Sequence, residues 1–515
     1  MNDGTEHQSS TMIDDSGIDR EEDKCRSYCK GIVPLSARME KWMTDLCEDD
    51  KALSRLVERF GSPLNLVNPK TFERNVDRFR ESASRHDIDF EVYFARKANK
   101  CLAFVNAAHE LKCGVDTASL QECEQVISSG LPADKVICTA AIKTDELVRF
   151  CVAHEVVMAI DNPCELEIVS REAMANGKQV NIALRVGGFK FGGEHLKTRF
   201  GFDVNELIPF IESNAAFNAN NCPLVVGLHF HLDGYCHQQR VAAIQQCLPL
   251  IDELRNHGHP IKFLDMGGGI PMSYLDDARQ WDLFWLEHEL AILGQREPVT
   301  YLNHGLGLLN VDGKVAGVRK SYPFFQPLVQ TDWLESIFSS PFDSGTIAEA
   351  IRSRRLQLRC EPGRSILDGS GMTVARVEFC KQHRDGHWLV GLAMNHTQCR
   401  TSSVDFMVDP IVVKVADDDG ESSGRQQSTG PEAEGFLVGA YCTESELIFK
   451  RRMRFPKGVT RGDLVIIPNT AGYFMHFLES RSHQFPLAKN VVVDQGSNIS
   501  FSLDNIEHSE LCEGK

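Results

Sequence analysis

The sequence lacks the marks of several large protein classes. It has no CxxC pair. Its 17 cysteines are odd in number and scattered, and the nearest approach, Cys25 and Cys29, is one residue too wide. In a long chain with no secretory leader, this predicts reduced intracellular thiols rather than a disulfide framework. No apolar run approaches the roughly 18 residues that a membrane span needs. The opening MNDGTEHQSSTMIDDSGIDREEDK is acidic and polar, the opposite of a signal or Arg-rich transit peptide, so the expectation is a soluble cytoplasmic protein. Basic residues are in deficit: 55 Lys and Arg against 72 Asp and Glu leave a formal charge of −17. That argues against a nucleic-acid or general polyanion binder, although a local basic pocket is compatible with an acidic surface.

At 515 residues, two domains are the natural expectation. Residues 1–30 have almost nothing apolar to bury and read as a disordered acidic N-terminus. A helical pattern follows over 38–60, within a segment 31–63 expected to pack on a β domain. From about 64, short apolar runs (FEVYFA, KVICTA, VVMAID, VNIALRV, LVVGLHFHL, IKFLDMG) alternate with amphipathic stretches such as TFERNVDRFRESASRH. Repeated strand–helix alternation predicts a parallel α/β fold, here a (β/α)8 barrel over 64–350, with an insertion of unassigned role at about 273–350. Beyond 351 the runs QLRCEP, TVARVEFCKQH, HWLVGLAM, IVVKV, FLVGAYC, DLVIIP and VVVDQ have few helices between them, so 351–515 reads as an antiparallel β domain. The stretch 416–435 within it has the composition of a flexible loop.

Candidate chemistry is carried by short motifs, each with an ordinary alternative. In YFARKANK (93–100), Lys97 follows a strand. It is either a solvated turn lysine or, at the C-terminal mouth of a barrel, an amine able to form a Schiff base. LDMGGGIP (264–271) puts Gly267, Gly268 and Gly269 after a strand, more glycine than a turn requires. Successive bare N–H groups there suit a phosphate, and the spacing is neither GxGxxG nor a Walker pattern. CEPGRSIL (360–367) pairs Glu361, able to hold a proton on a heterocyclic nitrogen, with Arg364, suited to a phosphate, around a Pro-Gly that is otherwise an ordinary turn. In GLHFHLDGY (227–235), His229, His231 and Asp233 alternate on one face; a metal pair is one reading, but HExxH and an ordered set of later ligands are absent, and no metal is expected. Cys442 in GAYCTESELI (439–448) is either a core thiol or a proton donor.

Taken in order, YFARKANK, GVDTAS (114–119), HFHLDG, LDMGGGIP, CEPGRS, GAYCTE and AGYFMHF (471–477) resemble the fold-type III pyridoxal-phosphate decarboxylases. These comprise the ornithine, arginine and diaminopimelate decarboxylases, on an alanine racemase-like barrel. The resemblance spans about 64–500. It implies pyridoxal 5'-phosphate held by Lys97 as a Schiff base, with His231 on the pyridine ring. The phosphate then falls to Gly267, Gly268, Gly269, Arg364 and Tyr473, while Asp116 and Arg185 line the cofactor. Glu361 is implied at the pyridine nitrogen, where a carboxylate strengthens the electron sink and favours decarboxylation over racemisation. Cys442 is implied to reprotonate the substrate carbon from the partner subunit of a homodimer with active sites at its interface.

The chain also departs from the family. Asp233-Gly234 stands where a Ser or Thr phosphate contact is usual, and Cys442-Thr443-Glu444 replaces an adjacent Cys–acid pair. The Arg-Pro-x-x-Tyr stretch typical of diaminopimelate decarboxylases is absent; VDFMVDP (404–410) occupies that place. Asp409 and Glu444, two acids expected at the substrate side chain, favour a cationic terminus. The resulting expectation is a decarboxylase (a carboxy-lyase) of ornithine, lysine, diaminopimelate or a similar amino acid. Its alternatives are a racemase or diaminopimelate decarboxylase on the same scaffold, or a catalytically silent regulatory homologue.

Overall fold

The structure, a computed structural model, describes residues 24–217, 223–401, 406–415, 428–495 and 499–509. Eight parallel strands close into a barrel: β1 Phe90–Ala95, β2 Gly114–Thr117, β3 Val136–Cys138, β4 Val157–Ile160, β5 Asn181–Gly187, β6 Leu224–His229, β7 Phe263–Asp265 and β8 Gln357–Cys360, which pairs back to β1. The barrel interior is filled by Tyr93, Ile137, Ala159, Ala183, Val226 and Phe263. Two glycines make room for its rings: a Cβ on Gly114 would lie 2.2 Å from the Tyr93 ring, and one on Gly227 2.3 Å from that of Phe263. Outside, a large apolar layer joins the strands to the surrounding helices. Asn68, Ser119, Thr144 and Asn162 start four of those helices by accepting first-turn N–H groups.

The domain boundaries differ from those expected. QLRC is the eighth barrel strand, since Gln357, Leu358 and Arg359 pair in parallel with Phe263, Leu264 and Asp265. Seven strands would leave two open edges, and closure removes both. Conversely, Leu64–Val67 belongs to the β domain, paired with Gly371–Gln382 and Lys489–Gln495. The insertion also divides. Helices Gln330–Phe338 and Ile347–Ser353 complete the barrel's outer layer, whereas residues 272–324 pack into a cluster shared with the β domain and residues 29–37.

Among the described residues, the β domain is a ten-stranded, mostly antiparallel sheet. Two of its pairings are parallel: Trp388–Leu392 with Ala433–Val438, and Leu64–Val67 with Lys489–Gln495. The expected loop 416–435 is shorter on its described side, because Ser428 bridges Thr460 and a strand begins at Ala433; residues 416–427 lie outside the described residues. The expected N-terminal disorder ends early too: Lys24–Ser27 is a short helix, and Lys30–Gly31 pairs with Arg454 and Met453, while residues 1–23 lie outside the described residues. The single helical stretch expected after residue 38 is two helices, Lys41–Glu48 and Asp50–Phe60, broken where Asp49 accepts from Ala52 N at 2.9 Å. Among the described residues, no helix is long and apolar enough to cross a membrane.

A buried ion pair fastens the N-terminal segment. Asp409 Oδ1 accepts from Arg451 Nη2 at 2.8 Å, its Oδ2 accepts from Leu35 N at 3.0 Å, and Arg451 also donates to the carbonyls of Val33 and Met407. Asp409→Ala strands a buried guanidinium and is expected to lower stability by about 3–5 kcal/mol. Denaturant unfolding checks this; a loss under about 1 kcal/mol contradicts the pairing's structural role.

Candidate active site

The strand order brings Lys97, Asp116, His231, the glycine run and Glu361 to one mouth of the barrel, because each lies at or just beyond the C-terminal end of a barrel strand. Lys97 lies in the short helical turn Arg96–Ala98 after β1, and Asp116 is on β2 beside it, with Ala95 and Asp116 in register. Lys97 Nζ donates to Asp116 Oδ2 at 3.0 Å, and Asp116 Oδ1 accepts from Thr139 Oγ1 at 2.5 Å. Burial disfavours the Lys97 ammonium, but the carboxylates of Asp116 and Glu361 outweigh it and hold the pKa above the usual lysine range.

Arg185, His229 and Asp265 stand side by side across β5, β6 and β7. A register shift between Val225 and Gly227 has a direct consequence here. It resets the strand's alternation, so that Val226 fills the barrel interior, Leu228 joins the outer layer and His229 turns inward. His229 Nε2 lies 3.3 Å from Glu361 Oε1, and the ligand atoms of His229, Asp265 and Glu361 all fall within 4.8 Å of one another. Burial dominates their protonation: His229 is lowered to about 3, Asp265 raised to about 7 and Glu361 raised to about 8. Nearby Asp116 pushes Glu361 further up, while Lys97 and Arg185 oppose it. At neutral pH Glu361 is therefore largely a neutral acid, and its Oε1 has no hydrogen-bond partner.

The two histidines of the HFH motif part company. His229 faces Glu361, whereas His231 accepts from Gly268 N at its Nδ1, 3.1 Å away, which leaves the proton on Nε2. Burial, then Lys97, holds His231 well below the ordinary histidine range, so its ring is neutral.

Opposite lies a cavity lined by His231, Gly234, Gly269, Gly363, Arg364 and Tyr473, among others. Gly267 and Gly269 have left-handed φ values of 66° and 80°, and a Cβ on Gly268 would lie 2.8 Å from the Glu361 carbonyl. Only glycine accommodates that course. Tyr473 takes φ 74°, costly for a bulky residue, and its N–H donates to Ala98 O at 2.8 Å, tying AGYFMHF to the turn that carries Lys97. Arg364 Nη1 donates to Tyr274 Oη at 3.0 Å and to Gly472 O at 3.2 Å, and the guanidinium packs over the Tyr322 and Tyr473 rings.

Three residues expected at the substrate are not at this mouth. Asp409 has both oxygens engaged by Arg451 and Leu35 in the β domain, which corrects its expected substrate-binding role. Cys442 and Glu444 are exposed on a β-domain loop lining a separate cavity, where Cys442 Sγ lies 3.2 Å from His483 Nε2. Glu446, buried, is paired with His396. The sequence reading missed Thr139, Asp265 and Arg240. Arg240 alone left a signal: it occupies an apolar-periodic position with Ala243, Ile244 and Cys247 on helix His237–Asn256.

These residues suit pyridoxal phosphate on three observations: a glycine run with no room for a Cβ, a buried acid whose Oε1 has no hydrogen-bond partner, and an amine held by Asp116 within electrostatic reach of that acid. Residues 70–291 match the family model described as "Pyridoxal-dependent decarboxylase, pyridoxal binding domain". Uncharacterized protein y4yA of Sinorhizobium fredii is 28% identical, over 83% of this chain and 87% of its own length. Diaminopimelate decarboxylase of Pseudomonas aeruginosa is 25% identical, over 87% and 92%. The crystal structure of diaminopimelate decarboxylase from M. jannaschii in co-complex with L-lysine shares the fold, with a TM-score of 0.64 at 18% identity, covering 87% of this chain and 91% of that one. The resemblance read from the motifs is thus borne out: the matched domain and these relatives support a fold-type III pyridoxal-phosphate-dependent decarboxylase. It is a carboxy-lyase by class, and its cofactor is pyridoxal 5'-phosphate.

Glu361 gives a pH test in the cofactor-free protein. Its folded pKa of about 8 exceeds the ordinary glutamate value of 4.5 that the unfolded chain has. Between those values the folded state keeps a proton that the unfolded state releases, so stability falls as pH rises and the loss is complete above about pH 8. Glu361→Gln is expected to remove this fall, its stability advantage growing by a few kcal/mol, roughly, from pH 5 to 8. Parallel stability curves for the two proteins would contradict the raised pKa.

Proposed function

We propose that this protein removes the α-carboxyl group of a basic or diamino acid, with Lys97 as the amine that carries the cofactor. Glu361 is the observation that supports the reading most: a buried acid with an unpartnered oxygen, within electrostatic reach of Lys97. The bound cofactor supplies an electron sink for the bond broken at the substrate α-carbon. Glu361 holds a proton at the heterocyclic nitrogen, which keeps that sink strong. His231, neutral and fixed by Gly268 N–H, presents a flat face without adding charge. Asp116, itself oriented by Thr139, holds Lys97 Nζ in place. The glycine loop, Arg364 and Tyr473 anchor the phosphate.

The substrate side is proposed to be completed by a second copy of the chain. Cys442 and Glu444 stand exposed, and Phe477, four residues beyond Tyr473, is 55% exposed. An apolar ring left open beside an active site suits a covering surface. The loop of a second subunit would then bring Cys442 to protonate the substrate carbon and Glu444 toward a distal ammonium. Diaminopimelate, named for the Pseudomonas relative, and the L-lysine of the M. jannaschii structure both carry a second amine, which agrees with that acid. The missing Arg-Pro-x-x-Tyr stretch weighs against diaminopimelate itself. Lysine and ornithine are the leading substrates.

Carbon dioxide release tests the reading against a panel of L- and D-lysine, L- and D-ornithine, arginine and meso-diaminopimelate. Release from a diamino acid is expected and is expected to vanish in Lys97→Ala; release from none of them contradicts the substrate class. Cys442→Ala is expected to slow turnover by about 10²- to 10⁴-fold. Mixing it with Lys97→Ala is expected to restore about a quarter of the native activity, as random pairing places one intact shared site on half of the dimers. No recovery on mixing contradicts the shared site.

A further inference from the structure

Arg240 is fully buried beneath the phosphate-side loop, on the first turn of helix His237–Asn256. Its Nη2 donates to three carbonyls: Leu232 O at 2.8 Å, Gly234 O at 3.2 Å and Gly268 O at 3.2 Å. Its Nε and Nη1 have no partner. A cation in such a place needs a reason, because burying a guanidinium with donors unsatisfied is destabilising.

The three carbonyls supply one. In a trans peptide the C=O and the following N–H point in opposite directions. Drawing the carbonyls of Leu232, Gly234 and Gly268 down onto one guanidinium aims the N–H groups of Asp233, Tyr235 and Gly269 the other way. Asp233, Tyr235 and Gly269 all line the cavity that also holds Arg364 and Tyr473. None of these three N–H groups donates to another part of the chain among the described residues. Converging N–H groups of this kind form an anion-binding concavity.

Charge points the same way. Asp233 is an exposed acid on the cavity wall, in the place where the family resemblance expects a hydroxyl nearby. A phosphate dianion next to it requires added positive charge, and Arg240 acts on Asp233 across the loop. Glycine at 269 is required by the same packing, since a Cβ there would lie 2.1 Å from Arg240 Nη2.

We propose that Arg240 is the positioning residue of the phosphate site: it shapes the two halves of the loop, 232–235 and 267–269, into one anion nest and offsets the charge of Asp233. The proposal rests on the assignment of pyridoxal phosphate and is independent of the amino-acid substrate.

The test compares pyridoxal phosphate with pyridoxal, which lacks the phosphate, binding to the full-length protein, followed by absorbance. In Arg240→Met, the dissociation constant for pyridoxal phosphate is expected to rise by at least about tenfold while that for pyridoxal changes less than about twofold. Arg240→Lys, which keeps the charge without the fork, is expected to fall between the two. A merely structural residue would weaken both ligands together, and that result, or no change in either, overturns the proposal. If Arg240→Met does not fold by circular dichroism, Arg240→Lys and Arg240→Gln carry the same comparison. Failure of the native protein to bind pyridoxal phosphate would strike the cofactor assignment first and the proposal with it.

Discussion

Three carboxyl groups, Asp116, Asp265 and Glu361, meet at the barrel mouth with almost no water to screen them. Like charges so placed cannot all ionise, and the surrounding residues are arranged by that constraint. Lys97 pairs with Asp116, Arg185 stands next to His229 and 3.7 Å from Asp161, and Glu361 is left with a proton and a free oxygen. The protonated acid is a consequence of burial first and of its acidic neighbour second, not of any single hydrogen bond. That is the state from which a carboxyl can share a proton with a heterocyclic nitrogen.

The rest of the fold supports this arrangement from two sides. On the side of Arg364, Trp333 donates to Tyr235 O at 2.7 Å, and Gln330 donates to Ser365 O at 3.0 Å, so a helix of the insertion braces the 232–235 loop and the Pro-Gly-Arg turn. On the β-domain side, Asn99 donates to Ala471 O and Tyr473 N–H reaches Ala98 O, joining the lysine turn to AGYFMHF. The β domain thereby fixes the position of the turn that carries Lys97.

What was legible in the sequence divides along physical lines. Lys97, the glycine run, Glu361 and Arg364 lie in short contiguous motifs, where backbone course and chemistry are written together. Thr139 and Asp265 act across neighbouring strands, and only the strand register brings them to Asp116 and Glu361. The inward turn of His229 depends on a bulge that no alternation pattern encodes. Asp409 was misplaced because an acid after an apolar run carries no sign of its partner, and Arg451 lies 42 residues away. QLRC was assigned to the wrong domain for a related reason: the long insertion hides the spacing that would mark it as the eighth strand.

The most direct measurement is reductive trapping. Borohydride added to the cofactor-loaded full-length protein fixes the pyridoxyl group to the amine that carries it, and peptide mass spectrometry locates the modified residue. The expected result is a single pyridoxyl group on Lys97. Its appearance on Lys100 or elsewhere, or no modification at all, would contradict the placement of the reactive amine on which the charge balance at the barrel mouth depends.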